Sequence, residues 1–291
     1  MTATPTTTAL ALAPARRARA GHSGLMRGFT TPSAIVGIVL IVIIFGAGLL
    51  APLISPYSPT AQGPDAFLPP SGTHWLGTDE YGRDLLSRVI YGARQDLIVG
   101  VIAVPIGAVV GTLLGTIGVA TKWLDVIIQR FFDVTLAFTG LVMGVTVAAI
   151  IGPGLAAVLI TVSFVNVPLF GRLARNTVRS LRSRDYVTAA RIVGAPPLRV
   201  LFRHVLPNAL DSLIVQAALS FSLAVFIEGA MSFVGIGVRP PDPSLGSLLR
   251  TSITFLSRSP LYAVAPMVVV TALVLAFNLV GDGLNKGLLK R

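Results

Sequence analysis

The chain has 291 residues, of which 53% are hydrophobic and only 12% charged, and its mean hydropathy is +0.80. Soluble domains carry about 25% charged residues, so this deficit excludes an ordinary water-soluble globule and points to a bilayer as the solvent. The net charge of +11 does not point to nucleic acid, because the basic residues lack the interleaved aromatics of single-strand binders.

Cysteine is absent, which excludes disulfides, thiolate nucleophiles and iron–sulfur ligation. His22, His74 and His204 are too scattered to form a metal-spacing motif. In chain order, residues 1–31 are rich in Thr, Ala and Arg without apolar period and read as a disordered cytoplasmic tail. The run Ala9–Ala13 is shorter than the roughly 7–15 apolar residues of a signal-peptide core.

A membrane-spanning helix needs about 20 mainly apolar residues. Such runs occur near 34–54, 97–120, 131–151, 155–170, 210–233 and 261–280, predicting an all-α membrane protein of six spans. Residues 32–96 hold the first span and its following loop, and 97–291 hold the other five. Gly152, Pro153 and Gly154 predict a very short turn between the third and fourth spans. In the second, Gly107, Gly111 and Gly115 recur on one helical face, the spacing that lets two helix backbones approach in lipid.

Lys and Arg favour cytoplasmic loops. They concentrate in the tail, after the second span (Lys122, Arg130), after the fourth (Arg172 to Arg203) and at the C-terminus. Arg83, Arg88, Arg94, Arg239, Arg250 and Arg258 on the other side are largely offset by Asp65, Asp79, Glu80, Asp84, Asp96 and Asp242. Both termini are therefore expected in the cytoplasm.

Residues 172–209 form a cytoplasmic loop too long for a mere connection. Its pattern reads helix–turn–helix. Asp185 sits near the start of the first helix, Gly194 can end it, and Pro197 suits the first turn of the second. Taken alone, these two basic helices fit a lipid-headgroup contact as well as a protein contact.

The run Asp185-Tyr-Val-Thr188-Ala189-Ala190-Arg191-Ile-Val-Gly194, followed after nine residues by His204-Val-Leu-Pro207-Asn, resembles the coupling motif of ABC importer permeases. That motif is Glu-Ala-Ala, three residues, Gly, then a Leu-Pro further on. Thr188 stands where the family has its glutamate, which removes a carboxylate from the expected contact; His204 replaces an apolar position, as in the peptide-transporter branch. Three further blocks resemble the dipeptide/oligopeptide permease C-type subunits. They are His74-Trp-Leu-Gly77-Thr78-Asp79-Glu-Tyr-Gly82-Arg83-Asp84-Leu-Leu-Ser-Arg88 on the external side, Glu228-Gly-Ala-Met-Ser232-Phe-Val-Gly-Ile-Gly237, and Asn278-Leu-Val-Gly-Asp-Gly-Leu284.

In the first of these, Thr78 or Asp79 is a candidate N-cap, and Asp84 with Arg88 an i,i+4 pair. A carboxylate inside a span costs about 2.5–3.5 kcal/mol when central. Glu228 therefore has three candidate roles: lining the external path or gate with Ser232, an interhelical hydrogen bond, or proton coupling. Asp133 is expected to cap its helix or pair locally with Arg130.

The resemblance implies the type I, binding-protein-dependent ABC importer permease fold in a bacterial inner membrane. It also implies a second permease subunit, two ABC ATPase subunits that bind ATP and Mg, an external solute-binding protein and surrounding lipid. The chain itself has no phosphate loop or protease motif, so a transport subunit without cofactor is expected rather than an enzyme. Peptide and nickel permeases share these blocks, which leaves the solute open. A secondary transporter is the rival class, expected to show inverted repeats and interrupted spans in matching positions.

Overall fold

The computed structural model describes residues 26–119, 121–182 and 206–289, with isolated positions 192, 196 and 199. Its named elements are all helical: α1 (Pro32–Leu49), α2 (Ala51–Ile54), α3 (Leu85–Gly118), α4 (Lys122–Ala137), α5 (Gly140–Ile151), α6 (Leu155–Arg182), α7 (Leu206–Val234), α8 (Leu245–Thr254) and α9 (Pro260–Leu289). Five helices are long and apolar enough to cross a bilayer, or six if α4 and α5 count together as one span.

The third expected span is not continuous. α4 and α5 meet at 94° across a short break. Thr139 sits in extended backbone there and accepts from the Val142 amide, so it restarts the chain as an N-cap. α5 has 12 residues, about 18 Å at 1.5 Å per residue, too short to cross a hydrocarbon core of about 30 Å alone. α4 is amphipathic, with Lys122, Asp125, Arg130 and Asp133 among exposed apolar residues such as Trp123 and Val126.

Two other boundaries move. The fourth span was expected to end near 170, but α6 continues to Arg182, so the first residues assigned to the loop 172–209 are helical. Residues 26–29 form a helical turn instead of unstructured tail. Gly28 there lies against the backbone of Leu284 in α9, where a β-carbon would collide.

α3 packs most extensively on α6, and the glycine face explains why. A β-carbon at Gly111 or Gly115 would overlap the carbonyl of Val167 or Gly171, and one at Gly107 would meet Asn166. Backbones in this contact touch directly, so dispersion rather than interlocking side chains holds the pair. Gly171, on the opposing helix, completes the contact.

Two apolar clusters flank the long helices α3 and α7. One joins Val99, Val104, Val158, Val162, Phe170, Ile227 and Met231, from α3, α6 and α7, with Ala148 of α5. The other joins Phe45 of α1, Leu85 and Val89 of α3, Leu245 and Leu248 of α8, and Tyr262, Leu273 and Phe277 of α9. α1 buries only Ala34, Gly37, Phe45 and Gly48 and leaves Val36, Val39, Val42 and Ile43 exposed, the distribution of a helix whose other side faces lipid. The α5–α6 turn is as short as its sequence predicts, with Gly152 (φ 90°) and Gly154 (φ 146°) in backbone regions that other residues rarely adopt.

Candidate functional site

The motif between Gly77 and Arg88 folds into a charged staple at the N-terminal end of α3. Gly77 and Gly82 take φ of 82° and 69°, and β-carbons there would strike the carbonyls of Leu68 and Gly63. The chain therefore doubles back tightly against 63–68. Thr78 ties the two passes together, accepting from the Leu68 amide at 2.8 Å and donating to the Asp65 carbonyl at 3.0 Å.

Asp79 is the centre of the staple. It is fully buried and accepts from Arg83 Nε at 2.6 Å, Arg88 Nη1 at 3.0 Å and the backbone amides of Tyr81 and Arg83. Arg83 reaches Glu80 as well, at 3.2 Å, and the Tyr262 hydroxyl of α9 donates to the other oxygen of Glu80 at 2.8 Å. The staple thus joins the loop, α3 and α9.

This geometry corrects two expectations. Neither Thr78 nor Asp79 caps α3; Asp84 does, accepting from the Ser87 amide at 2.8 Å and from its hydroxyl at 2.7 Å. Asp84 has no ion pair with Arg88 either, because its second oxygen meets His74 Nδ1 at 2.9 Å while Arg88 turns to Asp79. Sequence spacing offers the i,i+4 partner, but the deeper carboxylate with more donors wins the guanidinium.

A second constellation joins α7 to the turn that follows it. Glu228 is 0% exposed and Ser232 1%. Ser232 donates to Glu228 Oε1 at 2.7 Å and accepts from the Val238 amide at 3.2 Å. In this conformation neither residue is exposed on the subunit surface. Asp96 of α3 is buried as well, at 1% exposure. Sequence reading placed Asp96 among the loop charges, whereas it lies buried within α3.

The basic end of α6 is partly engaged by α4. Arg175 bonds Asp125 with both Nε and Nη2, the latter at 2.7 Å, and Arg179 reaches the same carboxylate at 2.6 Å. Asp133 does pair with Arg130, at 3.9 Å, and also bonds Arg172. It lies in the last turns of α4 and so caps no helix start. Arginines read only as setting orientation therefore also fix the angle between α4 and α6.

Asp185, Thr188, Ala189, Ala190, Arg191, Gly194 and His204 lie outside the described residues. Pro207 is exposed in the first turn of α7, where its missing N–H costs no helical bond. Among the described residues no group of His, Cys, Asp and Glu has the arrangement of a metal site.

Residues 99–291 match the family model described as binding-protein-dependent transport system inner membrane component, and residues 29–70 match that of the N-terminal TM domain of oligopeptide transport permease C. The dipeptide transport system permease protein DppC of Alkalihalophilus pseudofirmus is 40% identical over 257 residues, covering 88% of this chain and 84% of the relative. The di/tripeptide transport system permease protein DppC of Pseudomonas aeruginosa is 41% identical over 263 residues, covering 88% and 87%. Among solved structures, the MetNI methionine ABC transporter in inward-facing conformation superposes with a TM-score of 0.58 at 18% identity, over 68% of this chain and 94% of that one. The last match shows the fold alone. The chain belongs to the binding-protein-dependent transport system inner membrane components, and it is a multi-pass inner-membrane permease subunit of an ABC transporter that works with a permease partner and separate ATPase subunits.

Proposed function

We propose that this subunit carries dipeptides or oligopeptides into the cell by alternating access. The observation that carries the solute class is the match of residues 29–70 to the oligopeptide permease C module, joined to peptide-transporting relatives across most of the chain. ATP and Mg bind in the two ATPase partners. An external solute-binding protein delivers the solute, and the second permease subunit completes the path.

Both termini and the 182–206 connection face the cytoplasm in this reading, and the 55–84 segment faces outward. The charge asymmetry supports it. Arg83 and Arg88 at the outer end are neutralised by Asp79 and Glu80, whereas Arg179 at the other end remains half exposed beside its partner. Asp185, Thr188, Ala189, Ala190, Arg191, Gly194, His204 and Pro207 belong to the contact with an ATPase partner in this reading. The remaining arginines there meet lipid headgroups. Glu228 and Ser232 stand behind the outer gate, and the staple from Gly77 to Arg88 braces the outer end of α3.

The test is to reconstitute the complex with its partner subunits and binding protein, and to ask which solutes stimulate ATP hydrolysis. Stimulation by di- or oligopeptides is expected. Stimulation by nickel alone overturns the peptide assignment, and solute uptake by this chain alone on an ion gradient overturns the ATP-driven mechanism.

A further inference from the structure

A cleft of about 340 Å³ opens between the first part of α3, the loop at 59–60 and the turn at 242–243 that leads into α8. Its helical wall is one face of α3, since Tyr91, Arg94, Gln95 and Ile98 recur three or four residues apart. The size falls in the roughly 300–1,000 Å³ range of small-molecule sites. α3 has 34 residues, about 51 Å at 1.5 Å per residue, so it overruns a hydrocarbon core of about 30 Å. The other two walls are irregular backbone, which is not tolerated against lipid in that core. The cleft therefore belongs to an aqueous end of the bundle, the outward one in the orientation proposed above.

Two opposite charges line this cleft without meeting. Arg94 stacks over the Tyr91 ring, its guanidinium carbon 5.9 Å from the centroid. Asp242 is exposed, and among the described residues neither its carboxylate nor the Arg94 guanidinium has an ion pair or hydrogen bond. Both are held in place by what flanks them. A β-carbon at Gly48 of α1 would sit 3.0 Å from the Arg94 amide nitrogen, so that stretch of α3 is backed by another backbone. Asp242 stands between Pro241 and Pro243, whose rings fix φ. The chain just beyond is locked by the capping box of Ser244 and Ser247 at the start of α8.

An anion alone would be attracted by Arg94 and repelled by Asp242, and a cation alone the reverse. A molecule that carries both charges satisfies both walls. The guanidinium fork suits a carboxylate, and the Asp242 carboxylate accepts from an ammonium group. Thr60 and Gln95, on the same cleft, add neutral donors and acceptors for an amide between the two charges. The geometry points to a binding site for a short zwitterion, a peptide with both termini free, its carboxylate on Arg94 and its ammonium on Asp242. This site rests on the peptide reading above and deepens it, because it gives this chain a part in recognising the solute alongside the binding protein.

The test is saturation-transfer NMR on the membrane complex in lipid nanodiscs, without the binding protein. The probes are L-alanyl-L-alanine, its N-acetyl derivative and its C-terminal amide. The wild type should bind the free dipeptide about tenfold more tightly than either capped form, the worth of one charge-assisted hydrogen bond. R94Q should lose only the preference for the free carboxylate, and D242N only that for the free amine. Equal binding of all three probes by the wild type overturns the site, as do variants that keep both preferences. If one variant fails to assemble, the other still decides, because each removes a single preference. Variants with unchanged dipeptide binding that no longer hydrolyse ATP in response to solute-loaded binding protein assign the cleft to docking of that protein, and overturn the site too. Peptide-stimulated ATP hydrolysis by the wild type reads the proposed function separately, so either reading can fail alone.

Discussion

At the scale of single residues, the staple around Asp79 separates two carboxylates that look alike in sequence. Asp79 holds two buried guanidiniums, Arg83 and Arg88, whereas Asp84 caps α3 and meets one histidine. Removing one partner from a buried ion pair costs about 3–5 kcal/mol, because the other charge is left uncompensated. Loss of an N-cap costs about 0.5–2 kcal/mol. Asp79→Ala is therefore expected to cut the yield of folded, detergent-stable complex sharply, and Asp84→Asn only mildly, since asparagine still accepts from the Ser87 amide. Thermal unfolding of the purified complex checks the order; equal losses would show that the pairing of Asp79 contributes little. Tyr262→Phe removes one hydrogen bond to Glu80, about 1.5–3 kcal/mol for a bond to a charged group, and should fall between the two.

At the scale of helices, glycine has opposite consequences at different positions. Glycine within a helix ordinarily costs roughly 0.5–1 kcal/mol relative to alanine. Gly46 of α1 has nothing within 4 Å of a built β-carbon, so Gly46→Ala should leave the complex slightly more stable. Gly111→Ala and Gly115→Ala should destabilise it by about 1–3 kcal/mol, the range for an overpacked interior, because their β-carbons meet backbone that cannot rotate aside. Denaturant or thermal titration of the three variants checks the sign. Stabilisation by alanine at both Gly111 and Gly115 would mean that α3 and α6 pack less closely than described. The stripe on α3 was legible because residues four apart share a helical face. Gly171 was not, since it stands alone in its own helix and matters only through its neighbour. The break between α4 and α5 was hidden for a related reason: Phe138 and Thr139 sit inside an apolar run, and hydropathy averages over the residue that changes direction.

At the scale of the whole molecule, the sequence is most legible where function depends on contiguous residues and least where it depends on residues brought together from afar. Apolar runs and the four motif blocks sufficed for the family, the approximate spans and the staple residues. The choice of Asp84 over Asp79 as cap depends on how 63–68 returns over Gly77 and Gly82, and the burial of Asp96 depends on what packs against α3. All the proposed coupling residues but Pro207 lie outside the described residues, and their role is open to direct chemical test. The natural absence of cysteine means that one introduced cysteine at Ala189 or Ala195 is the only thiol in this chain. A bifunctional thiol reagent should link it to a cysteine in the groove of the ATPase partner, with a yield that changes when ATP is bound. Thr188→Glu, which restores the carboxylate of the family motif, should raise that yield or leave it unchanged if the position faces a basic residue or solvent on the ATPase. No link at either site, in a complex that still hydrolyses ATP in response to solute, would remove residues 189–195 from the coupling path.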